Sequence, residues 1–218
     1  MQFYPSGESI CCELLELPQD KLEWIITGAD ADDIVAAGFQ RQLSDGSRFI
    51  HPESGDLYQL ARRQHVDKES GILCFQTGRG VSVEDELATR TLTILAMARN
   101  GTSIIDPFGG RQDLTEGVLR HVTPHFSSTP ENLLTVAVWS ARLAGWGFSV
   151  AHGTHALMKK MVAAGAVEHI SRHQISDAVL RVMATSRPSA FFRVLHRCGA
   201  LQLISAELDA LYEHCNRG

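Results

Sequence analysis

The chain has 218 residues, 44% hydrophobic and 21% charged, with a formal net charge of −5. That balance is an ordinary globular composition, enough for one large or two small domains with a sizeable core, and it excludes a low-complexity or strongly basic chain. No apolar run reaches the roughly 20 residues of a membrane helix, and Met1-Gln2-Phe3-Tyr4-Pro5 lacks the basic-then-apolar order of a signal peptide, so a cytoplasmic location with no membrane is expected.

The first half reads as short strands and helices in alternation. Trp24-Ile25-Ile26-Thr27 is a compact apolar run ended by Gly28, as in a buried strand. A helix is expected from Asp30 to Ala37, with acidic residues in the first turn where the macrodipole favours them. Residues 48–51 and 57–61 flank Pro52-Glu53-Ser54-Gly55-Asp56, a hairpin signal with a longer loop. Ile72-Leu73-Cys74-Phe75 is a further strand. A single helix is expected from Val83 to Ala98, capped by Ser82, with Asp85 where a full capping box carries Glu or Gln. Ser103-Ile104-Ile105 is a strand, Asp106-Pro107-Phe108-Gly109-Gly110 a turn, and residues 119–122 read as strand or helix end.

From about Pro130 the pattern becomes helical. Leu133, Leu134, Ala137, Val138 and Ala141 have i, i+3, i+4 spacing, and residues 155–164, 173–184, 190–198 and 206–215 continue it. Ser171, Ser189 and Ser205 stand at cap positions, and Pro188 sits near a helix start. Residues 1–125 and 126–218 are therefore expected as two domains. They differ in charge: the first holds 11 Lys+Arg against 19 Asp+Glu, the second 9 against 6. Such asymmetry is a weak pointer to a nucleic-acid-facing second half. The five cysteines, Cys11, Cys12, Cys74, Cys198 and Cys215, form no CxxC pair and read as reduced packing residues.

Five stretches resemble the tRNA nucleotidyltransferase and poly(A) polymerase family, in its bacterial CCA-adding branch. Lys21-Leu22-Glu23-Trp24-Ile25-Ile26-Thr27-Gly28 resembles the metal-binding strand, where the family reads Asp-x-Asp before an apolar run. Asp85 to Met97 is similar to its acidic-Leu-x-Arg-Arg-Asp helix, Ile105 to Leu114 to its Asp-Pro-aromatic turn, and Phe191 to Leu201 to part of its neck. Tyr4-Pro5-Ser6-Gly7 matches its first strand and glycine loop. The resemblance implies an α+β fold, with a polymerase-β-like nucleotidyltransferase head followed by an all-helical neck.

The departures fall on the working positions. Lys21 and Glu23 stand where the resemblance places two catalytic aspartates. A lysine repels Mg²⁺, and one carboxylate is a poor basis for a two-metal centre. In the loop Gly7-Glu8-Ser9-Ile10-Cys11-Cys12, the family's second glycine is Glu8 and its Arg-Asp pair is Cys11 and Cys12. Of Arg-Arg-Asp only Arg90 persists, between Thr89 and Thr91, and the family's asparagine is Leu95. The nucleotide-facing neck arginines fall at Asn132, Thr135 and Val138, with Arg142 kept. The base-templating Glu-Arg pair falls at His173 and Gln174.

The leading expectation is a catalytically degenerate, truncated member acting through RNA, tRNA-like, or a protein partner, with no intact catalytic residue, no metal site and no cofactor. Gly7, Arg90 and Arg142 remain as nucleotide-binding candidates, and Arg181, Arg187, Arg193 and Arg197 as RNA-binding ones. The four arginines read at least equally as ordinary solvated helix faces, and Arg90, Asp106 and Arg142 read more readily as structural ion-pair or hydrogen-bond residues than as nucleotide ligands. Two alternatives stand beside it. One is an active enzyme adding nucleotides to RNA, using Mg²⁺ on Glu23 with Asp30 or Asp85. The other is a structural interaction module, and the oligomeric state stays open. Asp30-Ala31-Asp32-Asp33 and Glu84-Asp85-Glu86 read as acidic helix starts rather than metal sites. His152, His155, His169 and His173 read as surface histidines, since no further ligands complete a zinc site.

Overall fold

The computed structural model describes residues 1–19, 21–42 and 46–215, in two compact units, Met1–Leu114 and Thr115–Gly218. Among the described residues no helix is long and apolar enough to cross a membrane. Cys11, Cys12, Cys74 and Cys198 are in no disulfide.

The first unit runs β1 (Gln2–Pro5), α1 (Glu8–Leu14), β2 (Glu23–Thr27), α2 (Ala31–Ala36), β3 (Gln40–Gln42), β4 (Arg48–Ile50) and β5 (Leu57–Leu60). It continues through β6 (Arg62–Val66), β7 (Leu73–Thr77), α3 (Val83–Leu87), β8 (Ala98–Asn100) and β9 (Ser103–Ile105) to α4 (Gly110–Glu116). A five-stranded sheet has the order β1-β2-β5-β4-β3, and only β2 and β5 are parallel within it. The β4–β5 pair is the hairpin expected around Pro52–Asp56. Strand register fixes two faces, because successive side chains alternate. One carries Trp24, Ile26, Tyr58 and Leu60, aligned Trp24 with Tyr58 and Ile26 with Leu60. Ile26 and Leu60 of that face form a fully buried cluster with Phe49, Ala29 and Ile34 of α2, and Tyr58 packs against it. The other face carries Glu23, Ile25 and Gln59.

Two acidic helix starts are capping structures. Asp30 and Asp33 cap α2 reciprocally, and Arg79 pairs with both, at 3.2 Å and 2.6 Å. Ser82 caps α3, and the shorter Asp85 side chain still closes the box, accepting from the Ser82 amide at 3.0 Å. Asp85 also receives a bidentate pair from Arg63 of β6, at 3.0 and 2.7 Å. That Arg63 pair, helped by Ser82 against the cost of burial, lowers its pKa from 3.8 to about 2. The sign follows from a folded-state pKa lying below the unfolded one: the stabilisation is complete above about pH 4 and is lost as pH falls toward 2. Arg63 is half-exposed, so about 1 kcal/mol is expected rather than the full value of the shift. Urea denaturation of the parent and Asp85→Asn should give a gap at pH 5 that shrinks by about that amount at pH 2.5.

The helix expected from Val83 to Ala98 is not continuous. α3 ends at Leu87, a 3₁₀ turn spans Thr93–Leu95, and Ala98 pairs with Ile105 in a hairpin. Three β-branched threonines, Thr89, Thr91 and Thr93, carry low helix propensity. The Thr89 hydroxyl donates to the Glu86 carbonyl at 2.8 Å, satisfying a helix-end acceptor. The Thr93 hydroxyl donates instead to the buried Asp113 at 2.6 Å.

The second unit contains β10 (Val118–Leu119), α5 (Asn132–Arg142), β11 (Ser149–Val150), α6 (His152–Ala163) and α7 (Arg172–Met183). It ends with α8 (Ser189–Cys198), α9 (Ala200–Ile204) and α10 (Ala206–Cys215). Apart from the two-residue parallel pair β10–β11, it is helical. α5 buries eight of its eleven residues, so it is the central helix that the apolar spacing from Leu133 to Ala141 indicated. Ser171 caps α7 in a reciprocal box with Gln174, and Ser205 accepts from the Leu208 amide. At α8 the cap residue is Pro188 rather than Ser189, which is already helical; proline's fixed φ suits a helix start.

Candidate functional site

The Glu23 face of the sheet meets α3 and the segment after it. Ser9 positions the start of β2: its hydroxyl accepts from the Glu23 amide at 2.6 Å. The Glu23 carboxylate pairs with the Arg90 guanidinium through Nη1 and accepts from the Glu8 amide at 3.2 Å. Gly7 turns here with a φ of +60°, and a Cβ on it would collide with the Glu23 carboxylate. Glycine is thus required by the close approach of Glu23 as well as by the turn.

Arg90 also lies 3.4 Å from Glu86, an i, i+4 contact. Glu86, with a fully buried side chain, is the hub. It accepts from Arg62 three times: from the amide at 2.9 Å, from Nε at 3.1 Å and from Nη2 at 3.2 Å. Burial works against the charge on Arg90, but Glu23 and Glu86 outweigh it and raise its pKa. A cavity of about 190 Å³ lies over this network, lined by Glu8, Glu23, Arg48, Arg62, Arg90 and Thr91 among others. It offers three guanidiniums and two carboxylates. Arg90 Nη2 is buried with no hydrogen-bond partner among the described residues.

This arrangement does not fit a two-metal centre. Lys21 is exposed, beside Gly55, and Glu23 is engaged by Arg90. Asp30 and Asp85 are held by Arg79 and Arg63. Among the described residues, the group of three His, Cys, Asp or Glu placed to share an ion is His196, Asp209 and Glu213, and it includes none of these carboxylates. Within that group His196 Nδ1 and Asp209 already share a direct 2.7 Å hydrogen bond.

The other replaced positions have local work. Cys11 and Cys12 are fully buried packing residues on α1. Asn132 donates to the Phe126 carbonyl at 2.9 Å, Thr135 to the Glu131 carbonyl at 3.3 Å, and Val138 is buried. Gln174 donates to Glu131 at 2.8 Å, while His173 is exposed. Asp106 caps α4, accepting from the Gly110 and Arg111 amides at 2.7 and 3.0 Å. Arg142 lies over the Trp139 ring, 4.3 Å from its centroid. Of the four candidate RNA-contacting arginines, Arg193 and Arg197 share a cavity on α8, and Arg181 and Arg187 are exposed outside its lining. The sequence reading missed Glu86 as a hub and Arg62 as its partner. Glu86 stood inside the acidic-Leu stretch but read only as a solvated helix start, and Arg62 stood in no motif; the signal that joins them lies in the fold, which sets β6 against α3.

No family model matches the chain. It is 36% identical over 214 residues to the Multifunctional CCA protein of Pseudomonas aeruginosa strain PAO1, across 97% of this chain and 52% of that protein. It is 38% identical over 215 residues to the Multifunctional CCA protein of Vibrio cholerae, across 97% and 53%. The chain belongs to the tRNA nucleotidyltransferase family. It spans about half the length of the curated relatives it matches. Family structures share the fold. The Bacillus stearothermophilus CCA-adding enzyme in complex with CTP matches with a TM-score of 0.72 at 20% identity, over 91% of this chain and 48% of that one. The Thermotoga maritima CCA-adding enzyme complexed with tRNA matches with a TM-score of 0.66 at 19% identity, over 92% and 47%. The α+β head-and-neck architecture expected of the family is the one observed.

Proposed function

We propose that this chain is a catalytically degenerate nucleotidyltransferase-like protein that acts by binding RNA. The observation carrying this reading is the Glu23–Arg90 pair. The carboxylate at the metal-holding strand is neutralised by the arginine retained from the Arg-Arg-Asp motif. Phosphoryl transfer by two metals needs free hard oxygens at that point, and Lys21 supplies a positive charge instead. The buried or backbone-bonded Cys11, Cys12, Asn132, Thr135 and Val138 support the same reading. The RNA is taken to be tRNA-like because solved relatives are complexed with tRNA. Residues 1–125 would form the head and 126–218 the neck, with Arg181 and Arg187 as RNA contacts.

Two measurements test it. Labelled CTP or ATP, with Mg²⁺ and a tRNA lacking its terminal CCA, should give no incorporation above a protein-free control. Fluorescence anisotropy should show the same tRNA binding without Mg²⁺, weakened several-fold in Arg181→Ala/Arg187→Ala. Mg²⁺-dependent incorporation that Glu23→Ala abolishes would move the active-enzyme reading to first place. Absence of RNA binding would leave the interaction-module reading.

A further inference from the structure

The second unit holds a cavity of about 430 Å³ between α5, β11, α6 and α8 that has no assigned role. Its lining includes Ser140, Phe148, Val150, His155, Arg193 and Arg197, together with His152 and Val194. The volume is within the range of ordinary small-ligand sites, about 300–1,000 Å³.

Its chemistry is one-sided. Two arginines and two histidines line it, and no carboxylate does. Arg193 and Arg197 stand at i and i+4 on α8, and neither has an ion-pair partner among the described residues. Like charges at that spacing oppose helix formation slightly, so the pair is a standing positive field. Burial first, then the charges of Lys159, Arg197 and His152, push His155 below the usual histidine range, against a hydrogen bond to the Arg197 backbone.

Two residues on this lining carry a buried polar atom with no hydrogen-bond partner among the described residues. Ser140 is 5% exposed, and its hydroxyl is one of them. The His155 Nε2 is the other. Leaving such a group unsatisfied costs stability, and both residues line the same cavity. Together with the paired arginines they gather hydrogen-bond donors and positive charge on one lining, the chemistry that suits an acceptor-rich anion.

We propose that this cavity binds a phosphomonoester, with the phosphoryl oxygens on Arg193, Arg197, Ser140 and His155 and the organic part against Phe148, Val150 and Val194. A carboxylate has two oxygens and suits one guanidinium. A phosphoryl group has enough oxygens for both guanidiniums, the hydroxyl and the imidazole at once. The site lies wholly within Thr115–Gly218, so the proposal stands or falls apart from the reading of Glu23 and Arg90.

The test is calorimetric titration of the full chain with ribose 5-phosphate, inorganic phosphate and ribose. Ribose 5-phosphate should bind, inorganic phosphate more weakly, and ribose not at all. Arg193→Ala and Arg197→Ala should each weaken binding tenfold or more, and Ser140→Ala several-fold. Both arginines are exposed, so these variants should keep the parent's circular dichroism and melting temperature; Arg193→Gln and Arg197→Gln serve if they do not. Failure of the parent to bind either phosphate overturns the proposal, as does binding unchanged in folded arginine variants. Binding of an unphosphorylated RNA oligomer that Arg193→Ala abolishes, with no ribose 5-phosphate bound, assigns the cavity to RNA and also overturns it.

Discussion

Glu86→Gln should destabilise the protein by about 3–5 kcal/mol, as expected when one partner of a buried ionic network is removed. The Glu86 side chain is fully buried and receives the Arg62 amide, both forks of the Arg62 guanidinium and the close approach of Arg90. Glutamine keeps the shape but turns one acceptor oxygen into a donor. Whichever way its amide is oriented, a donor then faces donors. Two guanidiniums are left with only Glu23 between them. Equilibrium urea denaturation measures the loss as a lower midpoint at unchanged slope. Asp33→Asn is the matched control, because its pair with Arg79 is solvent-exposed and should be worth about 1 kcal/mol or less. A Glu86→Gln cost no larger than that control would remove the network from the list of what holds the first unit together.

Phe49→Ala should cost about 3–5 kcal/mol, the range for emptying a buried aromatic position. Phe49 is 0% exposed and packs with Ile26, Ala29, Ile34 and Leu60 between the sheet and α2. Its neighbours are held by strand register, so the cavity has little freedom to collapse. Phe3 provides the contrast. It is 42% exposed at the sheet edge, stacked on Phe39, and Phe3→Ala should cost less than half as much. Equal losses for the two would mean that the buried cluster is not the centre of this unit.

Much of the fold is legible in the chain. Trp24–Thr27 is an apolar run too short for a helix, and it lies in β2, an interior strand between β1 and β5. The spacing from Leu133 to Ala141 is helical, and α5 follows it. What failed was the stretch after Leu87. Its apolar periodicity is that of a helix, but three threonines and the pairing of Ala98 with Ile105 decide otherwise. That pairing is tertiary and has no local signal. The candidate site divides in the same way. Lys21, Glu23 and Arg90 were visible through a motif. The hold of Arg62 and Arg90 on Glu86 was not, because Arg62 lies 24 residues from Glu86 and outside every motif. His155 was expected on the surface, yet it is half-buried, with a ring nitrogen that has no hydrogen-bond partner among the described residues. A histidine on a helix reports its face only when the neighbouring helix is known.

The outermost strand of the five-stranded sheet is Gln40-Arg41-Gln42, three residues long and exposed throughout. An open sheet edge invites pairing with the same edge of another molecule, and natural proteins counter this with short, charged edge strands. Arg41, anchored to Asp32 at 3.3 Å, places a guanidinium on that border. The far side of the sheet is closed differently, by the bridge between Ser6 and Ala98. Resistance to self-association therefore rests on a few polar residues at one border. Apolar substitutions there would raise the risk of aggregation while leaving the core untouched.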